Sequence, residues 1–320
     1  MTLPIDPTSP PPATPTKILV ATDLTDTEYL LPHAIAQAKA SGASLLLIHS
    51  VLPHESMPVE TGAIPYYDPL RMDRDARLLL ESLARDVRNQ GVECTAVVRH
   101  GFVPDVVAEV VQATGAGRLI LGTHGRRGLK KFVLGSVARQ LLETMDVPVC
   151  TIGPRAHIRG ASTGLILHPV SLAGLHRPSA ALSLSLAEQF GTEAMLLHIL
   201  LPSPAVARDP LRAVAAATEE LDQLVPGQVR ARARVVVKIA AGSVVQEILA
   251  AAQEHQPGLI VLGVHAPAHS WLPGTEPAAY KILVSAPCPV ISLRVNPAIG
   301  VEKEEHREGH REEHSPLLIG

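Results

Sequence analysis

The sequence predicts two tandem α/β domains, each an open five-stranded parallel sheet with helices on both faces. Three observations predict it. The first is composition: 46% of the 320 residues are apolar but only 2% are aromatic, so any core is built from Val, Leu, Ile and Ala, which suits parallel strands covered by helices. The second is an internal repeat. The third is the alternation of short apolar runs with helical stretches, the pattern of βαβ units.

The repeat is legible residue by residue. Lys17-Ile-Leu-Val-Ala-Thr-Asp23 answers Gly164-Leu-Ile-Leu-His-Pro-Val170, and Ser44-Leu-Leu-Leu-Ile-His49 answers Ala194-Met-Leu-Leu-His198. Gly101 to Gly122 and Gly242 to Gly263 each span 21 positions. Gly122 to Pro148 and Gly263 to Pro289 each span 26. A period of about 140 residues means duplicated domains rather than a solenoid.

Taken in order, residues 1–16 form a Pro-rich lead with too little apolar content to order itself. The first domain, 17–153, places strands at 17–22, 44–50, 92–99, 118–122 and 147–152. Its first helix follows Thr25-Asp-Thr-Glu28, read as a capping box. A second runs from Pro69 to Gln90 and stops at Gly91. A third opens at Pro104 and closes near Gly115, and a fourth starts around Gly135. A linker, 154–163, leads to the second domain, 164–295, with strands at 164–168, 194–199, 232–238, 258–262 and 288–293. Residues 296–320 are a charged tail in which Gly309 interrupts the His306, His310, His314 spacing, so a solvated segment is favoured over a metal site.

Several classes are disfavoured. A formal charge of −3 leaves no basic footprint for nucleic acid. Cys94, Cys150 and Cys288 match no disulfide framework or zinc spacing and read as buried thiols. The lead has no signal-peptide pattern, and no apolar stretch reaches a membrane-spanning length. The cytoplasm is the expected location.

Ligands in doubly wound sheets bind beyond the carboxyl ends of the strands, at the topological switch point. Two segments meet that condition: Ala21-Thr22-Asp23 after strand one, and the loop from Gly122 after strand four. The loop reads Gly122-Thr123-His124-Gly125-Arg126-Arg127-Gly-Leu-Lys130, then Gly135-Ser136-Val137 at a helix start. Free amides and the positive dipole end favour a phosphate there, and Arg126, Arg127 and Lys130 add charge. The spacing is neither a P-loop nor a dinucleotide fingerprint. The same glycines also suit a tight strand–helix connection. His124 has no carboxylate partner in sequence and reads as a structural or ligand-lining residue rather than a base.

Gly122-x-x-Gly125, nine residues and Gly135-Ser136 resemble the G-x-x-G-x9-G-S/T pattern of the ATP-binding universal stress proteins. The opening Ile18-Leu-Val-Ala-Thr-Asp23, His49 and Val147-Pro-Val149 look like that family too. The resemblance covers residues 17–152 strongly and 164–294 weakly. It implies a Rossmann-like, adenine nucleotide alpha hydrolase-like fold binding ATP, ADP or AMP. By it, Asp23 contacts adenosine, Ala21 and Thr22 wall the base, and Ser50 meets adenine through its backbone. Gly122, Gly125, Gly135, Ser136 and Val137 hold ribose and phosphates, with Thr123, His124, Arg126 and Arg127 lining the same loop. Magnesium rides on the phosphates. Ala21 stands where relatives often carry Pro.

The second copy departs at this site. Val170 aligns with Asp23, Ala266 with Gly125, and Glu276-Pro277 with Gly135-Ser136, so no nucleotide is expected there. Trp271 and Tyr280 are read as packing the altered loop. The last strands, apolar and at sheet edges, pair in similar proteins, which predicts an internal pseudo-dimer; whole chains can pair further as a homodimer. Two functions remain open: an ATP-binding regulatory or stress-response protein with at most slow hydrolysis, and a nucleotide-free interaction module. An adenylyl-transferring enzyme ranks third, because its Ser-Gly-Gly signature after strand one is absent.

Overall fold

The computed structural model describes residues 14–51, 69–123, 134–157, 164–172, 177–230, 234–265 and 277–295. The first half comprises β1 (Lys17–Ala21), α1 (Thr27–Ser41), β2 (Ser44–Val51), α2 (Pro69–Asn89), β3 (Cys94–His100), α3 (Val103–Thr114), β4 (Arg118–Gly122), α4 (Ser136–Thr144) and β5 (Val149–Ile152). The second comprises β6 (Ile166–Val170), α5 (Arg177–Phe190), β7 (Ala194–Leu200), α6 (Pro204–Arg208), α7 (Pro210–Gln223), α8 (Gly227–Arg230), β8 (Val235–Ala241), α9 (Val244–His255), β9 (Leu259–His265), α10 (Ala278–Ser285) and β10 (Val290–Val295). The central strands β4 and β5 are mostly apolar, Arg118 and Thr151 apart, and buried on both faces, as helix-covered parallel strands require.

All ten strands lie in one sheet, ordered β3-β2-β1-β4-β5-β10-β9-β6-β7-β8. Each half is parallel throughout. The halves meet where β5 and β10 pair antiparallel, with Cys150 opposite Ile291. Cys150 follows Pro148, and Ile291 follows Pro289, by the same two positions. Equivalent positions of the repeat therefore face each other, and a local two-fold axis passes between them. One core, on the α1, α2 and α5 side, includes both Cys150 and Ile291. The other, on the α3, α4, α9 and α10 side, includes both Val149 and Val290. Neither core breaks at the seam.

Three local expectations change. Thr25 and Glu28 do not form the capping box: the N-cap of α1 is Asp26, and Thr25 instead gives its amide (2.8 Å) and hydroxyl (2.6 Å) to Asp23 Oδ1. An Asp that folds its own backbone into a turn outcompetes the helix cap. The lead joins the fold earlier than expected, since Thr16 O accepts the Ser44 amide at 3.0 Å; residues 1–13 lie outside the described residues. Gly91 and Gly115 do follow their helices with φ of 83° and 64°, the left-handed region that glycine enters without strain.

The third change corrects the repeat alignment by one residue. His49 Nδ1 donates to Thr22 O at 2.8 Å, and His198 Nδ1 donates to Val170 O at 2.9 Å. In the ladders Ala21 pairs with Ile48, whereas Val170 itself pairs with His198. Val170 is thus the counterpart of Thr22, and Ser171 of Asp23. The strand-two runs differ by one residue between the copies, and a one-residue slip exchanges the two faces of a strand. Ile18 and Ile166 do share a face. The carboxylate is still lost in the second half, to a serine rather than a valine.

Candidate functional site

In each half the strand order reverses beside the first strand, so the crevice lies beyond the carboxyl ends of β1 and β4. Thr22 N donates to Ile48 O at 3.0 Å, extending the ladder one residue past β1. The Thr22 hydroxyl donates to Asp26 Oδ1 in a short hydrogen bond and accepts the Leu24 amide at 2.9 Å. Leu24 turns the chain with φ of 72°, a left-handed conformation costly for a branched side chain and characteristic of functional turns. Asp23 is half-buried at the tip of this turn.

Across the crevice, Thr123 gathers three elements. Its amide donates to Ile152 O at the end of β5, and its carbonyl accepts the Gly135 amide, both at 3.0 Å. The first turn of α4 is thereby tied to the end of β4. Helix geometry leaves the amides of Ser136, Val137 and Ala138 without intrahelical acceptors, and the positive end of the helix dipole lies with them. Ser136 is exposed and Val137 half-buried. Gly135 has φ −59° and ψ 146°, a conformation open to any residue.

The structure thus brings Ala21, Thr22, Asp23, Gly122, Thr123, Gly135, Ser136 and Val137 to one end of the sheet. Ser50 sits at the end of the neighbouring β2, its hydroxyl donating to Gly101 O at 2.8 Å. Thr123 is fully buried, and its main chain makes the two hydrogen bonds given above. His124, Gly125, Arg126, Arg127 and Lys130 lie outside the described residues, as do Ala266, Trp271, Glu276 and the tail histidines.

Asp26 and Tyr29 are site residues that the sequence reading missed. A β-carbon on Gly122 would stand 2.7 Å from Asp26 Oδ2 and 3.0 Å from the Tyr29 hydroxyl. Any larger residue at 122 would have to displace one of these two side chains. Burial, reinforced by the charge of Asp23, pushes the Asp26 carboxyl up to about 6 against the opposing Thr22 hydrogen bond. Burial and the same two carboxylates push Tyr29 up to about 12. The signal in sequence was the i, i+4 spacing of Thr22 and Asp26, masked by the capping-box pattern.

Among the described residues, the second half keeps the frame and carries different groups on it. Gly242, like Gly101, donates its amide to the end of strand two, and Ser179 Oγ fills the space over Gly263. Pro277 stands directly before α10, where it removes a donor. Tyr280 does not pack only its own loop: its hydroxyl crosses the seam to Glu143 Oε1 at 2.7 Å. Among the described residues no group of three or more His, Cys, Asp or Glu side chains could hold a metal ion, and no helix is long and apolar enough to cross a membrane.

The sequence model of the universal stress protein family matches residues 15–152 and 179–294. Universal stress protein MJ0531 of Methanocaldococcus jannaschii is 26% identical over 139 residues, covering 42% of this chain and 81% of the relative. Universal stress protein MJ0577 of the same organism is 20% identical over 151 residues, covering 42% and 93%. Among solved structures, a universal stress protein from Archaeoglobus fulgidus DSM 4304 shares the fold with a TM-score of 0.65 at 16% identity, over 87% of this chain and 98% of that one. With both halves matched and the glycine and histidine framework in place, the chain belongs to the universal stress protein family.

Proposed function

We propose that the chain is a regulatory stress-response protein that binds an adenine nucleotide (ATP, ADP or AMP) in its first half alone, with at most slow hydrolysis. The observation that carries this reading is that the Asp23 turn after β1 and the donor-rich first turn of α4, which Thr123 ties to the end of β4, lie at the same switch point. In this reading Asp23 accepts from the adenosine part, Ala21 and Thr22 wall the base, and the α4 amides hold phosphate oxygens. The residues fit a phosphate at one end and a hydroxyl donor at the other. Magnesium, when bound, neutralises phosphate charge and is held by the phosphates rather than by a protein cage.

The same reading divides the chain into a first domain over 17–153, a linker over 154–163 and a second domain over 164–295 without nucleotide. The two-fold relation of Cys150 and Ile291 supports treating the pair as an internal pseudo-dimer. Its expected place is the cytoplasm.

One observation favours a second reading, the nucleotide-free interaction module: Asp26 and Tyr29 already occupy the space over Gly122. Mass spectrometry of what co-purifies with the chain, followed by thermal shift with ATP and magnesium, separates the two. A bound adenine nucleotide, and a shift lost on Asp23→Ala and Gly125→Val but kept on Ser171→Ala, supports the first reading. No co-purified nucleotide and no shift at millimolar ATP leaves the second.

A further inference from the structure

The helix proposed to hold phosphate, α4, is only nine residues long, too short to be stable without packing. Its far end is held by the other half of the chain. Arg294 on β10 donates Nη1 to Glu143 O at 3.2 Å, one of the carbonyls that helix geometry leaves without an intrahelical donor. Its Nη2 pairs closely with Asp146 Oδ1. Tyr280 on α10 donates its hydroxyl to Glu143 Oε1 at 2.7 Å, and the Arg139 guanidinium carbon lies 5.2 Å from the centre of the Tyr280 ring, within cation–π range.

Two carboxylates at the negative end of a helix dipole are unfavourable; a guanidinium and a hydroxyl donor offset them. Arg139 and Tyr280 each stand nine positions before the proline of the last strand in their copy. They are equivalent residues meeting across the two-fold axis, and their chemistry has diverged into a matched pair. Arg139 also closes the first intrahelical bond of α4, its amide reaching Gly135 O at 2.9 Å. A clamp on one end of so short a rigid rod therefore sets where the amides at the other end point, and hydrogen bonds weaken steeply with misalignment.

From this geometry we infer that Tyr280 and Arg294 are positioning residues for the phosphate-facing turn of α4, so that the second half sets the nucleotide affinity of the first. The inference rests on the nucleotide reading above. It gives the half without a site a definite role, the support of its neighbour's.

Calorimetry of the full chain with ATP and magnesium tests it, on wild type, Tyr280→Phe, Arg294→Met and Glu143→Gln. Tyr280→Phe and Arg294→Met lower ATP affinity roughly three- to tenfold at unchanged stoichiometry, while Glu143→Gln, which keeps an acceptor for Tyr280, stays near wild type. Hydrogen exchange of the ligand-free variants is expected to be faster at Arg139–Leu142, the first hydrogen-bonded amides of α4, and unchanged at α9. Tyr280→Phe keeps the ring under Arg139 and carries the test alone if Arg294→Met fails to fold. Variants that lose thermal stability but bind ATP like wild type, with unchanged exchange at Arg139–Leu142, overturn the inference and leave the nucleotide reading intact. A wild-type chain with no ATP affinity overturns both.

Discussion

The Asp26 carboxylate is packed against Gly122: its Oδ2 lies 2.7 Å from where a β-carbon on that glycine would stand. The ends of β1 and β4 are joined by this contact, and Thr22 holds the same carboxylate from the other side. Adding a methyl group there must displace a buried, hydrogen-bonded side chain. Gly122→Ala is expected to cost about 1–3 kcal/mol, the usual range for overpacking. Urea denaturation of Gly122→Ala, Asp26→Ala and the double variant checks it, the methyl group costing less once Asp26 is shortened.

Asp26 also makes stability depend on pH. Its carboxyl titrates near 6 in the folded chain against an ordinary 3.8, so between those values the folded state binds the extra proton. Its contribution is complete below about pH 4 and is lost as pH rises to about 6, a swing on the order of 2–3 kcal/mol. Asp26→Asn keeps the volume and an acceptor for Thr22 and needs no proton. The variant is expected to be more stable than wild type by about 1–3 kcal/mol at pH 8, with the advantage gone at pH 4, as read from denaturation midpoints at the two pH values.

Ser136→Pro puts a proline at the first residue of α4, the position that spacing from the last-strand proline aligns with Pro277. Gly135, at φ −59° and ψ 146°, already has the extended conformation a following proline needs, and proline is tolerated at the first helical position. The helix is left standing while one phosphate-facing amide is removed. Loss of one charge-assisted hydrogen bond predicts ATP affinity weaker by about tenfold or more, with the melting temperature little changed; titration calorimetry and a thermal melt read the two effects separately.

Much of the fold was legible because repeats and strand–helix alternation are written in local spacing. The equal glycine-to-glycine and glycine-to-proline intervals located corresponding strands, and Gly91, Pro104 and Gly115 fixed helix ends. The register was not legible to one residue: the strand-two runs differ in length by one, and only the carbonyls bonded by His49 and His198 show which residues correspond. Asp26 was hidden because Thr25 and Glu28 offered a local capping pattern that Asp23 overrides by folding the turn onto itself. The reach of Tyr280 and Arg294 across the seam depends on the antiparallel meeting of β5 and β10, a long-range relation that no local pattern carries.

Three buried thiols make a further prediction. Burial pushes Cys94 and Cys150 up to about 11, and Cys288 upward too. Thiolate is the reactive form, so the native chain is expected to be nearly inert to an aromatic disulfide reagent at pH 8 and to release all three equivalents once denatured. Fast labelling of the native chain would contradict the burial of these thiols.

The central claim is that one half grips a nucleotide and the other does not, and binding stoichiometry tests it most directly. Isothermal titration of the full chain with ATP and magnesium is predicted to give one site per chain, weakened by Ser136→Pro. Two sites per chain, or no heat at millimolar ATP, would contradict it.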